Sequence, residues 1–555
     1  MNIETMMDRI RMRHAKQDGR NVTGHLHVRF DDRSLPYCAG TFLRIVMTGL
    51  VLCVSLPATN GIAQGPTTCM RQRLPESINK FQPTTIPVLS PDGQTLFVDR
   101  KLHPENEEGA SDPDDVWISH RMGGSIWTEP ERTAFTTFRR PDVLFSLSRD
   151  GRRALVYGRY LYRDGDSIRC FAVAERIDAG LPFSVLTPID LPAMRDMGRN
   201  FYGSLSDDAT ALVIAMNRPG GVGDLDLYVS RRCGDKWSTP VSLGHTINTK
   251  AFEGAPCLAP DGLTLYFSSS GRDDRRGKAD MYVTRRLDDT WTSWSRPVNM
   301  GPCINTLEDE TSFSLIGDGD SALVTSWDPE HGRPGIYLVG LTTDQRPAPY
   351  VMFSGRITNP LTGQPVEGAR LVVRDSTSTC REALIYGTGA NGDFTITLAS
   401  GKRYGIEAQA AHHISATQTI GVRRLDSTSE LRLSVYLFDH RMPLASVFFE
   451  RGSYEVGPVE QAKLDELVQR YGLRAISFEV VGYTDPIGNQ RDNARLSKGR
   501  AEATREALRK AGADEKRIEA TGRGVEYQGT QLFLKEHPQS RRVDIFPAQP
   551  PGRGQ

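Results

Sequence analysis

The sequence predicts a multidomain, largely β chain: a β-propeller of five or six blades, then a β-sandwich, then an α+β domain. Three observations predict it. A turn built on Asp-Gly recurs between β-rich segments every 53–58 residues through the first half. A middle region alternates apolar and polar residues between Gly/Asn/Asp turns. From Pro443 the pattern changes to strand, helix, strand, helix.

Length and composition set the frame. The 555 residues correspond to between three and four domains of about 150 residues each. The 68 Lys+Arg balance 68 Asp+Glu, with 38% hydrophobic and 25% charged residues. That balance excludes a mostly disordered chain, a collagen-like repeat, a multi-span membrane protein and a generally basic nucleic-acid binder. No nucleic-acid partner is expected.

Residues 1–63 read as a leader. The twelve residues from Ile45 to Leu56, IVMTGLVLCVSL, carry no charge and follow Arg44. A spanning helix needs about 20 apolar residues, so this core (45–56) fits a signal peptide instead. Gly61-Ile62-Ala63 places cleavage after Ala63. The 44 residues ahead of the core are long for such a leader and point to a translation start nearer Leu43 or Met47. The bulky Leu52 before Cys53 argues against a lipid-modified cysteine. Six cysteines follow Ala63 (Cys69, Cys170, Cys233, Cys257, Cys303 and Cys380), without CxxC or zinc-type spacing. In an oxidising compartment one or two disulfides are expected, with connectivity unreadable from sequence.

The repeat occupies 64–345. LSPDGQTLFV (Leu89–Val98) returns as LSRDGRRALV, LSDDATALVI, LAPDGLTLYF and LIGDGDSALV, with aspartates at Asp92, Asp150, Asp208, Asp261 and Asp318. Each block is a tight turn between two strands. A further strand and a polar turn follow, then a short strand begun by Trp127, Trp237 or Trp291. Ile-Asn pairs at Ile78-Asn79, Ile247-Asn248 and Ile304-Asn305 mark the repeats again. Four short strands per repeat, five times over, describe radial stacking of small sheets. Over about 75–342 the pattern resembles the bacterial WD40-like PD40 propeller repeats, the family that includes the TolB propeller. Arg149 and Ala209 depart from it, standing where proline and glycine are usual. The aspartates read as turn-closing groups rather than ligands. The Gly317–Asp320 run lacks the downstream acid of an EF-type loop, and no metal or cofactor is expected.

Residues 350–437 form the second unit. Val366, Ala369, Leu371 and Val373 lie near one face, and Asn391-Gly392-Asp393 is a hairpin signal before Phe394, Ile396 and Leu398. The run from Gly355 to Ala369 resembles the carboxypeptidase regulatory-like family, which implies a seven-stranded, transthyretin-like sandwich. His412 and His413 are adjacent, so on a strand they point to opposite faces and make no metal pair.

Residues 440–548 form the third unit, with 549–555 expected as a disordered tail. LASVFFE and AISFEVVGYTD read as strands. VEQAKLDELVQRYG reads as an amphipathic helix with Leu464, Leu467, Val468 and Tyr471 on one stripe. NARLSKGRAEATREALRKAG reads as a second helix closed by Gly512, with an inward stripe of Leu496, Arg500, Ala503, Ala507 and Ala511. An arginine on that stripe needs a partner, because a buried unpaired charge is costly. Asp485, at a strand end just before the helix, is placed to share its pocket. One reading is a plain Asp485–Arg500 salt bridge. The other is a receptor for a zwitterion, the carboxylate taking an ammonium and the guanidinium a carboxylate.

The residues Gly482, Thr484, Asp485, Gly488, Asn493, Leu496, Ser497, Arg500 and Ala501, with Arg541-Arg542-Val543 later, resemble the OmpA C-terminal, peptidoglycan-binding family. Tyr483 and Ser540 depart from it, standing where histidine and asparagine are commoner. The resemblance implies peptidoglycan binding through diaminopimelate in the stem peptide, by Asp485 and Arg500, with Thr484, Asn493, Ser497 and Arg541 around them. For Thr484, Asn493 and Ser497, loop and helix capping explains the residue types equally well.

No G-x-S-x-G, H-E-x-x-H or G-x-x-x-x-G-K-[ST] signature is present. The leading reading is therefore a non-enzymatic protein of the periplasm and outer membrane. It is tethered to the cell wall, and its propeller is a platform for outer-membrane or periplasmic protein partners. The domain order resembles PorE-type cell-envelope proteins. The alternatives are a periplasmic ligand sensor, or a propeller that processes a glycan or peptide in its channel.

Overall fold

Within the repeat region, the computed structural model contains five antiparallel sheets among its described residues. It describes residues 28–29, 43–47, 50–54 and 70–548, leaving out 81–85, 108, 112–113, 133–134, 137–141, 162–166, 192–201, 318, 377–382, 423–427, 472–476 and 526–537. Of the expected signal-peptide core, residues 45–47 and 50–54 lie in two paired antiparallel strands, Leu43–Met47 with Leu50–Val54, and 48–49 and 55–56 lie outside the described residues. No helix of the described residues is long and apolar enough to cross a membrane.

Each of the five sheets begins with one short strand: Val88–Leu89, Val143–Leu147, Tyr202–Leu205, Glu253–Leu258 and Glu310–Ile316. Each of these strands touches the next, and the last returns to the first, so the sheets close into a ring. The closing strand comes from the other end of the region. Arg71–Arg73 pairs antiparallel with Arg333–Gly340 and completes the fifth sheet.

The Ile-Asn pairs explain why that strand returns there. Asn248 accepts from the Leu227 amide and donates to the Leu227 carbonyl. Asn305 does the same to Met281, and Asn79 to Ile336. In each case the side-chain amide continues the ladder of the third strand of a sheet, beside an isoleucine with no exposed surface. Asn79 therefore does across the ring closure what its counterparts do within a continuous stretch of chain.

The Asp-Gly turns hold themselves. Asp92 accepts from Ser90 Oγ and the Gln94 amide. Asp150, Asp208 and Asp261 make matching turn bonds; Asp318 lies outside the described residues. Ala209 adopts φ 56°, the left-handed conformation that Gly93, Gly151 and Gly262 adopt in the other turns. The expected strand starts are corrected. Trp127 and Trp237 end their short strands, Ile126–Trp127 and Lys236–Trp237, rather than begin them. Trp291 begins no strand, its own φ being 67°; Trp294 makes the bridge to Arg286 instead.

The second unit has seven strands between Tyr350 and Tyr436, in two sheets. One contains Ala416–Val422, Arg403–Gln409, Arg370–Asp375 and Leu384–Gly387, with Val28–Arg29 added at its edge; the other contains Asp393–Ala399, Tyr350–Thr358 and Ser429–Tyr436. Both sheets feed one core, including Val351, Phe353, Leu371, Val373, Phe394 and Ile396. His412 lies in a turn, at φ 61°, and His413 forms an isolated antiparallel bridge with Asp439. This unit sits against the Asp-Gly turns of the ring. Arg152 donates to the carbonyls of Gly387 and Asp393 at 2.7 and 2.8 Å. Arg153 lies over the Tyr386 ring, and the Ala348 amide donates to Asp261.

The third unit is a four-stranded sheet with two helices. Its elements are β1 (Ala445–Phe448), α1 (Pro458–Tyr471), β2 (Ser477–Thr484), α2 (Gln490–Lys510), β3 (Ile518–Val525) and β4 (Arg542–Ala548), with strand order β1-β4-β2-β3. Leu464, Leu467 and Val468 of α1 join Phe478, Val480, Leu508, Val543 and Ile545 in its core. Ile414 of the second unit and Phe438, just after it, enter the same cluster.

Asn79→Ala strands a buried amide and carbonyl at Ile336, which costs about 1–3 kcal/mol. Thermal unfolding of the full chain is expected to start earlier in this variant. Exposed Lys80→Ala is the control and leaves the midpoint of its transition in place.

Candidate functional site

The site lies where β2 ends and α2 begins. Asn489 caps α2, its side chain accepting from the Asp492 amide at 2.9 Å. The other end closes as the sequence predicts: Gly512 has φ 106°. Its amide bonds Arg509 and the Ala513 amide bonds Leu508, the paired bonds of a Schellman stop.

Between these ends, α2 lies almost directly on strand backbone. A Cβ at Gly482 would stand 2.1 Å from the Ser497 carbonyl oxygen, and one at Gly522 would stand 2.4 Å from the Lys498 nitrogen. This approach corrects the expected stripe. The buried face is Asn493, Ser497, Arg500, Ala501, Thr504, Ala507 and Leu508, while Leu496, Ala503 and Ala511 are only half-buried. Small residues face the sheet because no room exists for a leucine there.

Arg500 has no exposed surface. Its Nε donates to the Ser453 carbonyl at 2.9 Å, Nη1 to Tyr483 at 3.1 Å and Nη2 to Glu450 at 3.2 Å. The guanidinium also stacks over the Phe449 ring at 5.4 Å. Burial holds its pKa below the ordinary arginine value; the Asp485 carboxylate opposes that shift and the Arg541 guanidinium adds to it.

Asp485 is 7% exposed. Its ion-pair partner is Arg541, Nη1 to Oδ2 at 3.3 Å, rather than the Arg500 of the simple salt-bridge reading. The register accounts for this. Gly482 on β2 stands opposite Val543 on β4, so the chain just before β4 reaches the end of β2, where Asp485 follows. Arg541 also donates to the Phe449 carbonyl at 3.3 Å.

The remaining expected residues separate. Thr484 is fully buried, and its Oγ1 has no hydrogen-bond partner. Asn493 is buried in the first turn of α2 beside Gly488. Ser497 fastens the helix to β3: it donates to the Ala494 carbonyl and accepts from the Gly524 amide, both at 3.0 Å. The two departures also have places. Tyr483 carries the Arg542 guanidinium over its ring at 4.9 Å, and Ser540 ends a short 3-10 turn.

Sequence reasoning missed the loop after β1. The carbonyls of Glu450 and Ser453 hold Arg500. Tyr454, 58% exposed, has its ring 3.4 Å from where a Cβ at Gly499 would stand. The available signal was Gly452, at φ 68°, which turns the loop back over the helix.

Residues 448–539 match the OmpA family. Among solved structures, the chain is similar to the peptidoglycan-associated lipoprotein from Burkholderia pseudomallei, with 30% identity over 19% of this chain and 89% of that one, at a TM-score of 0.17. It is similar to the carboxy-terminal domain of MotB from Helicobacter pylori, with 17% identity over 19% and 86%, at 0.18. It is also similar to the calcium-binding protein regucalcin from Agrobacterium tumefaciens, with 15% identity over 49% and 94%, at 0.26. At these scores the ring rests on its own sheet order. No curated protein matches the chain.

Arg500→Met leaves three carbonyls without their donor and is expected to destabilise the third unit by about 3 kcal/mol. Gly482→Ala, which forces helix from strand, is expected to cost up to about 3 kcal/mol. Both are read as loss of the corresponding step in urea unfolding.

Proposed function

Because the carboxy-terminal domain is OmpA-like, we propose that the chain is a peptidoglycan-binding protein of the cell envelope. It holds the wall through the diaminopimelate of a stem peptide and presents its ring of sheets to other proteins. The observation that carries this reading is the nearly closed ionic group at the end of β2: one carboxylate, Asp485, beside two guanidinium groups, Arg500 and Arg541. Opposite charges held in place at low exposure suit a ligand that carries an ammonium and a carboxylate on one carbon. Diaminopimelate presents that pair at the end of its side chain.

Other features support the setting. Cys233 and Cys303 are disulfide-bonded, while Cys170 and Cys257 are free thiols. Disulfides fit an exported protein in an oxidising periplasm, the destination that the 45–56 signal core implies. The five-sheet ring is read as a five-bladed PD40-type propeller, and the second unit as a carboxypeptidase regulatory-like sandwich. The sandwich covers the Asp-Gly side of the ring, which leaves the opposite side for outer-membrane or periplasmic partners. The role is non-enzymatic.

The full chain is expected to co-sediment with diaminopimelate-type sacculi. Asp485→Ala is expected to lower the bound fraction at least tenfold while circular dichroism at the assay temperature still shows a folded chain, with an unfolding midpoint lowered by the charge left on Arg541. Equal sedimentation of the two proteins would remove Asp485 from the site.

A further inference from the structure

We propose that His412 and His440 form a two-histidine site for a divalent transition-metal ion, zinc or copper(II), where the second unit meets the third. The proposal is independent of wall binding.

Adjacency in sequence sets His412 beside His413, but the fold sets it beside His440. His413 bridges Asp439 in antiparallel fashion. The Ile414 amide donates to the Phe438 carbonyl at 2.9 Å, and the His440 amide to the His412 carbonyl at 3.0 Å. His412 and His440 are therefore directly opposite one another, one residue along from the bridge, as a cross-strand pair. Their ring centroids are 6.0 Å apart, with the planes at 70°. Two imidazoles on one zinc ion, at Zn–N distances of about 2.0–2.1 Å, have ring centres roughly 5–6 Å apart. Small side-chain rotations thus bring both rings onto one ion. Both residues are exposed, and no hydrogen bond among the described residues engages either ring.

The neighbouring groups are already committed. The His413 ring turns back on its own chain, with Nδ1 2.7 Å from the Ala411 carbonyl oxygen. The Asp439 carboxylate is held by Arg441, through the amide and Nε at 2.9 Å and Nη2 at 2.7 Å. Among the described residues no group of three His, Cys, Asp or Glu is arranged to hold a metal. The pair supplies two ligands, and the remaining positions go to water or to a ligand that arrives with the ion. Imidazole suits zinc and copper, and copper(II) binds the tighter of the two. Calcium and magnesium, which require oxygen ligands, are not accommodated. A bound ion would clip together the two segments from which Ile414 and Phe438 enter the core of the third unit.

The test titrates zinc chloride into chelator-treated full chain by calorimetry. Wild type is expected to show a binding step that His412→Gln and His440→Gln each weaken by about tenfold or more. His413→Gln, outside the pair, is expected to change that step by less than about twofold. In copper(II)-loaded wild type, electron paramagnetic resonance is expected to show nitrogen splitting from two imidazoles, a signal lost in both pair variants. The wild-type spectrum decides if a variant does not fold. Absence of zinc binding in wild type, equal binding by wild type and both pair variants, or a copper spectrum without two imidazoles overturns the site. An effect of His413→Gln as large as that of His412→Gln overturns the pairing.

Discussion

A fully buried guanidinium, Arg500, organises the carboxy-terminal unit. It ties the loop after β1 to the end of β2 through three carbonyl acceptors. Its position follows from how closely α2 lies on the sheet, and that closeness exists because residues 482 and 522 have no side chain. The glycines, the small residues facing them and the arginine therefore form one constraint. Asp485 and Arg541 are set at its edge, where a strand end and a neighbouring strand start meet. Recognition depends on this frame because an ion pair of low exposure is strong only when its geometry is fixed in advance.

The rest of the chain shows how a repeat is adapted where neighbours meet. The second repeat loses its proline to Arg149, whose guanidinium contacts the Gly317 carbonyl and Met352. Three residues on, Arg152 reaches carbonyls of the second unit. This turn, like that of Asp261, which accepts from the Ala348 amide, has thus become a docking point between two units. At the far end of the second unit, Ile414 and Phe438 extend the core of the third. The chain is joined by packed contacts at both junctions, so a wall-bound domain would hold the ring at a set position.

Much of this was legible in the residues. The repeat period pointed to five or six sheets, of which the described residues form five, and the alternation around Asn391-Gly392-Asp393 marked the second unit. The end of α2 was marked by Gly512, whereas its start, capped by Asn489, lies a few residues ahead of the expected one. Asp485 and Arg500 were singled out from a strand end and a helix stripe and Arg541 through the family resemblance, and the structure sets Arg541 against Asp485 with Arg500 near them. What sequence could not supply was pairing. Arginine stripes announce that acceptors are needed, but not that backbone carbonyls from a loop 50 residues upstream supply them. The expected stripe through Leu496 failed for a related reason. Helical periodicity assumes a side-chain interface, whereas α2 meets bare backbone. The role of Asn79 was also hidden, because its partner Ile336 lies 257 residues away across the ring closure.

The central claim is that an amino-acid zwitterion is the group this pocket binds. Displacement of the full chain from sacculi by free meso-diaminopimelate, with cadaverine as the matched diamine lacking both carboxylates, tests it most directly. Release that rises with diaminopimelate concentration and is much weaker with cadaverine is the predicted result. Release by neither compound, or by both equally, would contradict it.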